Sequence, residues 1–190
     1  MMAANTDGDT RLGFRLREIF DAQPPKQQDE VTGEIFRWGL SSVLADAYLF
    51  SRNPEKRGAR LSAEDAFEIW RIRYVTEPRL DLVAAQNAPL AIAMLDAEVS
   101  LGIPEAATAL RHALMALGFP LDPAGGIDCM VMHALRDTMS AGNPDAGGIL
   151  SGLIRAETAL SLLPKLIASG SPEEQLAAWW RALRFGAAPA

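Results

Sequence analysis

Glu18 is the residue whose type and setting best suit acid–base chemistry. It lies in the stretch RLREIF, residues 15–20, at the end of an amphipathic run and just before a polar segment broken by prolines. Apolar neighbours such as Ile19 and Phe20 can keep a carboxyl protonated at neutral pH, and a protonated carboxyl can act as a general acid. A lone glutamate close to three arginines is also a common solvated helix charge. The sequence leaves both interpretations open.

Few other residues could do chemistry. Asp96 lies in an otherwise apolar stretch, and because a buried acid is rarely left unpaired, we expect it to bond to backbone or to an arginine and to position a loop. Cys129, the single cysteine, sits in an apolar run and is expected to be buried. One cysteine excludes an intrachain disulfide, and two histidines are too few for a His/Cys zinc site. We therefore expect no metal and no cofactor.

The composition of the chain favours helices. Of 190 residues, 49% are hydrophobic, and alanine and leucine dominate over the β-branched residues. The net charge of −6 argues against a general nucleic-acid partner, because binding phosphates requires clustered lysine and arginine. The polar start has no signal-peptide core and no run is long enough to span a membrane, so we expect the protein to be made in the cytoplasm without a signal peptide.

Apolar periodicity and helix breakers predict an all-α fold of about eight helices and no strand. Ser62, Asn87 and Asp128 are predicted helix N-caps, and the stretch from Ala88 to Leu101 is apolar almost all round, which predicts a central helix. Residues 1–10 are expected to be disordered, and residues 11–186 to form a single domain. The predicted helices span residues 11–22, 34–50, 62–75, 88–101, 104–117, 129–140, 147–167 and 172–185.

The order and spacing of several short motifs resemble the glycoside hydrolase 108 family, which includes phage-type N-acetylmuramidases and secretion-activating proteins. The motifs are EIWRIRY at 68–74, DAEVSLG at 96–102, a helix from Ala106 to Gly118 with Arg111 in place of a glutamine, a glycine-rich turn at 122–126, and HAL at 133–135. Residues 153–180 are similar to the family's predicted peptidoglycan-binding domain. The resemblance implies a compact lysozyme-like helical domain, with residues 11–85 as the cleft-forming half and residues 86–186 as the helical core and peptidoglycan-binding part.

The resemblance also implies site residues, and the chain departs from the family at that site. The family's catalytic glutamate precedes two glycines and a tyrosine, whereas Glu18 precedes Ile19, Phe20 and Asp21. The family's Thr-Asn-x-Gly-Ile segment is replaced by residues 35–40, which include a tryptophan. Glu18 is the implied general acid, and a second carboxylate could come from Asp21, Asp29, Glu30 or Glu34. The candidate substrate-binding residues are Asp21, Trp38, Asp96 and Ser100, the last in place of a family asparagine.

These departures predict a divergent relative of peptidoglycan-cleaving muramidases, weakly active or inactive, that binds peptidoglycan or forms part of a phage-like or secretion assembly. One alternative is an active, endolysin-like N-acetylmuramidase with Glu18 as general acid. A second is a helical adaptor or regulator that docks a partner in an apolar groove. The partner is accordingly peptidoglycan or an assembly protein, reached in the periplasm or cell wall by a holin-like or secretion route.

Overall fold

The computed structural model describes residues 6–29, 33–52 and 61–169. In these ranges eight α-helices dominate, so the predicted all-α class is confirmed, although a small three-stranded sheet accompanies them. In chain order the elements are α1 Thr6–Asp21, β1 Gln27–Gln28, β2 Ile35–Arg37, β3 Leu40–Ser41, α2 Ser42–Arg52, α3 Ala63–Arg71, a π-helical turn Ile72–Thr76, α4 Leu80–Gln86, α5 Ala88–Leu101, α6 Ile103–Ala116, α7 Cys129–Ser140 and α8 Ala146–Ser169.

The described residues group into two compact units. The helical unit holds the residues up to Leu12 and those from Pro78 onward, and therefore contains α4 to α8. The hairpin unit holds Gly13–Glu77, with the three strands, α2, α3 and the π-helical turn.

Helix α5 lies at the centre of the helical unit, as its apolar sequence predicts. It packs against α4, α6 and α8, and α6 also packs against α8. Its side chains Leu90, Met94 and Leu95 are fully buried. A helix that is apolar on nearly every face is stable in water only when other elements surround it.

The predicted N-caps of three helices are confirmed. The Ser62 hydroxyl accepts a 3.1 Å hydrogen bond from the Asp65 N–H, and the Asn87 side chain accepts one of 2.9 Å from the Leu90 N–H. Asp128 accepts bonds of 3.0 Å from the backbone N–H groups of Met130 and Val131. These caps satisfy N–H groups that have no partner inside the helix, so they fix where α3, α5 and α7 begin.

The prediction of a single helix over residues 34–50 is wrong in its first part. Strands β1, β2 and β3 form an antiparallel sheet in that order, and β2 and β3 are joined by the two residues Trp38 and Gly39. Both have positive φ, 49° and 74°, the sign that a type I′ hairpin turn requires at its two central positions. A tryptophan rarely adopts positive φ, so the sequence pattern gave no hairpin signal here.

Three further predictions are corrected. Helix α1 begins at Thr6 rather than Arg11, and Gly8 lets it pass close to α4, because a Cβ on Gly8 would lie 2.5 Å from the Ala84 carbonyl oxygen. The short helix α4 was not predicted; it starts directly after Arg79, which has φ 66°. Cys129 is exposed at the start of α7, not buried. The helix predicted for residues 172–185 lies outside the described residues.

Candidate functional site

Five aromatic side chains of the hairpin unit form the aromatic cluster, comprising Phe20, Trp38, Phe67, Trp70 and Tyr74. The Phe20 ring lies at its centre, stacked 6.4 Å from Trp38 and edge-on to Phe67 and Trp70 at 5.3 Å and 6.1 Å. The Trp70 and Tyr74 rings are 4.8 Å apart. Phe20 and Trp70 are buried, whereas Trp38, Phe67 and Tyr74 are half-buried and keep part of their surface in solvent.

Trp38 is held in its unusual conformation by backbone hydrogen bonds. Its N–H donates to the Pro24 carbonyl at 3.1 Å, and its carbonyl accepts a 2.9 Å bond from the Trp70 indole N–H. Gly39 is needed beside it, because a Cβ there would lie 3.3 Å from the Trp70 ring in addition to the strain of positive φ. A large residue kept at positive φ is the kind of local strain that concentrates at binding sites.

The structure places Glu18 on the solvent side of α1. Its side chain is 68% exposed, and its carboxylate forms a 3.0 Å ion pair with Arg15. Asp21, one turn further, is also exposed and lies 3.9 Å from Arg17. These are helix-surface pairs between residues three and four apart.

Phe20, two residues after Glu18, leaves the opposite side of α1. Its side chain is only 3% exposed and belongs to the aromatic cluster. Glu18 therefore faces solvent while Phe20 packs into the aromatic cluster.

One cation lies against the aromatic cluster, and a hydroxyl–carboxylate pair belongs to the same unit. The Arg17 guanidinium lies 3.6 Å from the centre of the Phe67 ring, a cation–π contact. The Tyr48 hydroxyl donates a 2.8 Å hydrogen bond to Glu77. Burial, followed by the bond to Glu77, raises the pKa of Tyr48. The cluster thus combines half-exposed aromatic faces with a polar edge, a combination suited to carbohydrates and to amphipathic partners.

The remaining predicted site residues lie elsewhere or outside the described residues. Asp96 and Ser100 are in α5 of the helical unit, where the exposed Ser100 hydroxyl donates to the Asp96 backbone carbonyl at 2.7 Å. Asp96 is half-buried and has a partner. Asp29 and Glu34 are half-buried, and the Asp29 N–H donates to the Glu34 carbonyl at 2.9 Å. Glu30 lies outside the described residues.

The buried acid of α5 is Glu98, which the sequence analysis missed. It is 2% exposed, and neither carboxyl oxygen has a hydrogen-bond partner among the described residues. Burial raises its pKa to about 9, so the carboxyl is protonated at neutral pH. The signal was present in the helical spacing, because Leu90, Met94 and Glu98 lie four residues apart on one face.

Arg111 of α6 is also buried, at 3% exposed. Its guanidinium donates to the Asp122 carbonyl at 2.8 Å, to the Gly126 carbonyl at 3.1 Å and 2.8 Å, and to the Asp128 carboxylate at 2.6 Å. The backbone N–H of Val131 and then this guanidinium hold the pKa of Asp128 below its usual range. Arg111 therefore connects the loop after α6 to the N-cap of α7 and has a structural role.

The helical unit also has an apolar surface. A pocket of about 250 Å³ has Leu117, Phe119, Thr138 and Ile149 among its lining residues. Exposed apolar side chains continue along α8 from Ile149 through Leu153 to Leu160. This apolar surface is the feature that the adaptor hypothesis requires.

Comparisons with known proteins support the fold. The chain is similar to the solved structure of SagA from Brucella abortus, with a TM-score of 0.60 and 17% identity over 95% of this chain and 98% of that chain. At this identity the likeness shows a shared fold and nothing finer. No known protein family and no curated protein matches the sequence, so the resemblance to the glycoside hydrolase 108 family stays a prediction.

The described residues contain neither a membrane-spanning helix nor a cluster of metal ligands. Among the described residues, none of the helices has the length and hydropathy needed to cross a bilayer. The same part of the chain brings together no group of three or more His, Cys, Asp or Glu side chains suited to a metal ion.

Proposed function

We propose that this protein binds peptidoglycan through the hairpin unit and has weak or no muramidase activity. The observation that carries the proposal is the solvent exposure of Glu18 and its ion pair with Arg15. Cleaving a glycosidic bond needs a carboxyl that keeps its proton beside the leaving oxygen, and a partly apolar setting provides this. Glu18 instead faces solvent and pairs with Arg15, so it lacks such a setting.

Binding is supported by the aromatic cluster. Half-exposed rings such as Trp38 and Tyr74 offer flat faces on which sugar rings can stack, and the neighbouring charged groups can bond to hydroxyls and carboxylates. The motif resemblance to the glycoside hydrolase 108 family favours peptidoglycan as the ligand of these rings. We propose that a holin-like or secretion route brings the protein to peptidoglycan.

Two assays on purified peptidoglycan sacculi test the proposal, with an ordinary lysozyme as the positive control for lysis. We expect the wild-type chain to sediment with sacculi while the turbidity of the suspension stays nearly constant. Glu18→Gln removes the candidate general acid at nearly constant shape and should change neither sedimentation nor turbidity. Turnover within about tenfold of the lysozyme, abolished by Glu18→Gln, would restore the active muramidase as first choice.

A matched pair of variants tests the binding surface. Trp38→Ala removes a half-exposed ring of the aromatic cluster and should release the protein from sacculi. Phe14→Ala removes an exposed aromatic ring of the same unit outside the cluster and should sediment like wild type. If the wild-type chain does not sediment at all, peptidoglycan binding is refuted and the adaptor hypothesis, with the apolar surface of α8, takes its place.

A further inference from the structure

Arg73 is a cation of the hairpin unit that has no hydrogen bond or ion pair with any described residue. Its Nε–H is buried and without an acceptor, and the side chain as a whole is half-buried. Buried N–H donors are nearly always paired in folded proteins, so one that is not calls for an explanation. The terminal nitrogens of the same guanidinium are likewise without a partner among the described residues, so they can donate to a ligand.

The neighbours of Arg73 all have partners. Arg71, two residues earlier, is bonded through two nitrogens to Glu68, both at 2.8 Å. Glu77, four residues later and the nearest acid in sequence, accepts the 2.8 Å hydrogen bond from Tyr48. The two acids nearest to Arg73 in sequence, Glu68 and Glu77, are thus bonded to other residues, and the Arg73 guanidinium remains available.

The backbone at Arg73 is also unusual. Residues 72–76 form a π-helical turn, in which the Glu77 N–H donates to the Ile72 carbonyl at 2.8 Å, five residues back. Such turns cost stability relative to an α-helix and occur frequently at functional sites. Here the turn carries Arg73 beside Tyr74, with the guanidinium 5.7 Å from the centre of the Tyr74 ring.

We propose that Arg73 binds a carboxylate of the peptidoglycan peptide stem while the sugar or peptide beside that carboxylate rests on Tyr74. The planar guanidinium matches a carboxylate with two parallel hydrogen bonds, which its two terminal nitrogens can donate. A singly charged carboxylate suits the site better than a dianionic phosphate, because Glu77 is nearby and the chain carries a net charge of −6. The inference rests on the proposed function, since it names the chemical group that the hairpin unit would recognise.

The experiment uses two matched ligands, N-acetylmuramyl-L-alanyl-D-glutamate and its diamide, which have the same size and differ in charge. Calorimetric titration of the full chain should show at least tenfold tighter binding of the acid, as a charge-assisted hydrogen-bonded pair predicts. Arg73→Met should reduce the affinity for the acid to that for the diamide. Arg73→Lys keeps the charge without the planar fork and should give an intermediate affinity. The Arg73→Lys measurement tests the inference even if Arg73→Met fails to fold.

Arg71→Met is the control, because it removes the same charge from the same segment at a side chain that already has a partner. It should bind the acid like wild type. Equal binding of acid and diamide by the wild type, no measurable binding of the acid, or an equal loss in Arg71→Met would each overturn the inference. Sedimentation of the wild type with sacculi separates the two proposals. If the wild type sediments with sacculi but Arg73→Met binds the acid as tightly as wild type, only this inference is refuted. If binding of the acid depends on Arg73 but the wild type does not sediment with sacculi, only the proposed function is refuted.

Discussion

The indole N–H of Trp70 donates a 2.9 Å hydrogen bond to the backbone carbonyl of Trp38. This bond joins α3 to the tip of the β2–β3 hairpin, where Trp38 has a positive φ of 49°. Because the Trp70 ring is also buried, a single side chain supplies both the apolar support and the polar bond that keep the hairpin tip in place.

Trp70→Phe should therefore destabilise the hairpin unit. The change removes the donor to the Trp38 carbonyl and part of a buried ring, and we expect a loss of about 1–3 kcal/mol in the free energy of unfolding. Urea titration followed by tryptophan fluorescence measures it. Tyr74→Phe is the control, since the Tyr74 hydroxyl has no hydrogen bond to any described residue, and its effect should stay within about 0.5 kcal/mol. Equal effects of both substitutions would contradict the role given to the indole bond.

Leu95→Ala should be among the most damaging substitutions in the helical unit. Leu95 is fully buried in the central helix α5, and its truncation should cost about 2–5 kcal/mol by leaving a cavity. Leu160→Ala in α8 makes the same chemical change at a side chain that is 68% exposed, and should cost less than about 1 kcal/mol. Chemical denaturation of the two variants compares them directly. A loss well below 1 kcal/mol for Leu95→Ala would show that α5 is not the centre of the core.

The sequence predicted those parts of the fold that local interactions determine. The caps at Ser62, Asn87 and Asp128 use a side chain and a backbone N–H two or three residues apart, so the signal is complete within a few residues. The central position of α5 followed from its composition, because an apolar helix has to be surrounded. Both inferences needed no knowledge of distant residues.

The parts that were missed depend on contacts between residues far apart in sequence. The hairpin turn at Trp38 depends on a bond from Trp70, 32 residues away, and a local pattern predicts only that tryptophan avoids this conformation. The Arg111 bonds to the loop after α6 are of the same kind. Glu98 could have been found by helical spacing, but Asp96 drew attention as the acid in an apolar stretch. At the candidate site, the sequence named Glu18 and Trp38, while their exposure and partners required the structure.

The stability of the helical unit should depend on pH through Glu98. Burial raises the pKa of this carboxyl from 4.5 to about 9 in the folded state. A group with a raised folded pKa contributes most below its unfolded pKa, and the contribution is lost as pH rises through the folded value. Between about pH 4.5 and pH 9 the unfolding free energy should fall by up to about 1.4 kcal/mol per pH unit relative to a variant without the titration.

Glu98→Gln supplies that variant, because glutamine has nearly the same shape and does not ionise in this range. The difference in unfolding free energy between wild type and Glu98→Gln, measured at several pH values, should change steadily from pH 5 to pH 9 in favour of the variant. Asp81→Asn, at an exposed acid in the first turn of α4, serves as the control and should differ from wild type by a nearly constant amount. A constant difference for Glu98→Gln as well would mean that the buried carboxyl is not protonated in the folded state.

Arg111→Gln should destabilise the helical unit. The guanidinium is buried and bonds to the carbonyls of Asp122 and Gly126 and to the carboxylate of Asp128. A glutamine amide is shorter and cannot reach all three, so most of these hydrogen bonds of a buried side chain would be lost, at a cost of about 2–4 kcal/mol. Arg136→Gln, at an exposed arginine of α7, makes the same change in charge and should cost less than about 0.5 kcal/mol. The melting temperatures of the two variants compare these losses in stability.

Hydrogen exchange gives a second, local readout. Arg111 holds the Asp128 cap, which accepts hydrogen bonds from the N–H groups of Met130 and Val131, so exchange at these two groups should accelerate in Arg111→Gln alone. Unchanged exchange at those two positions would show that the cap of α7 stands without Arg111.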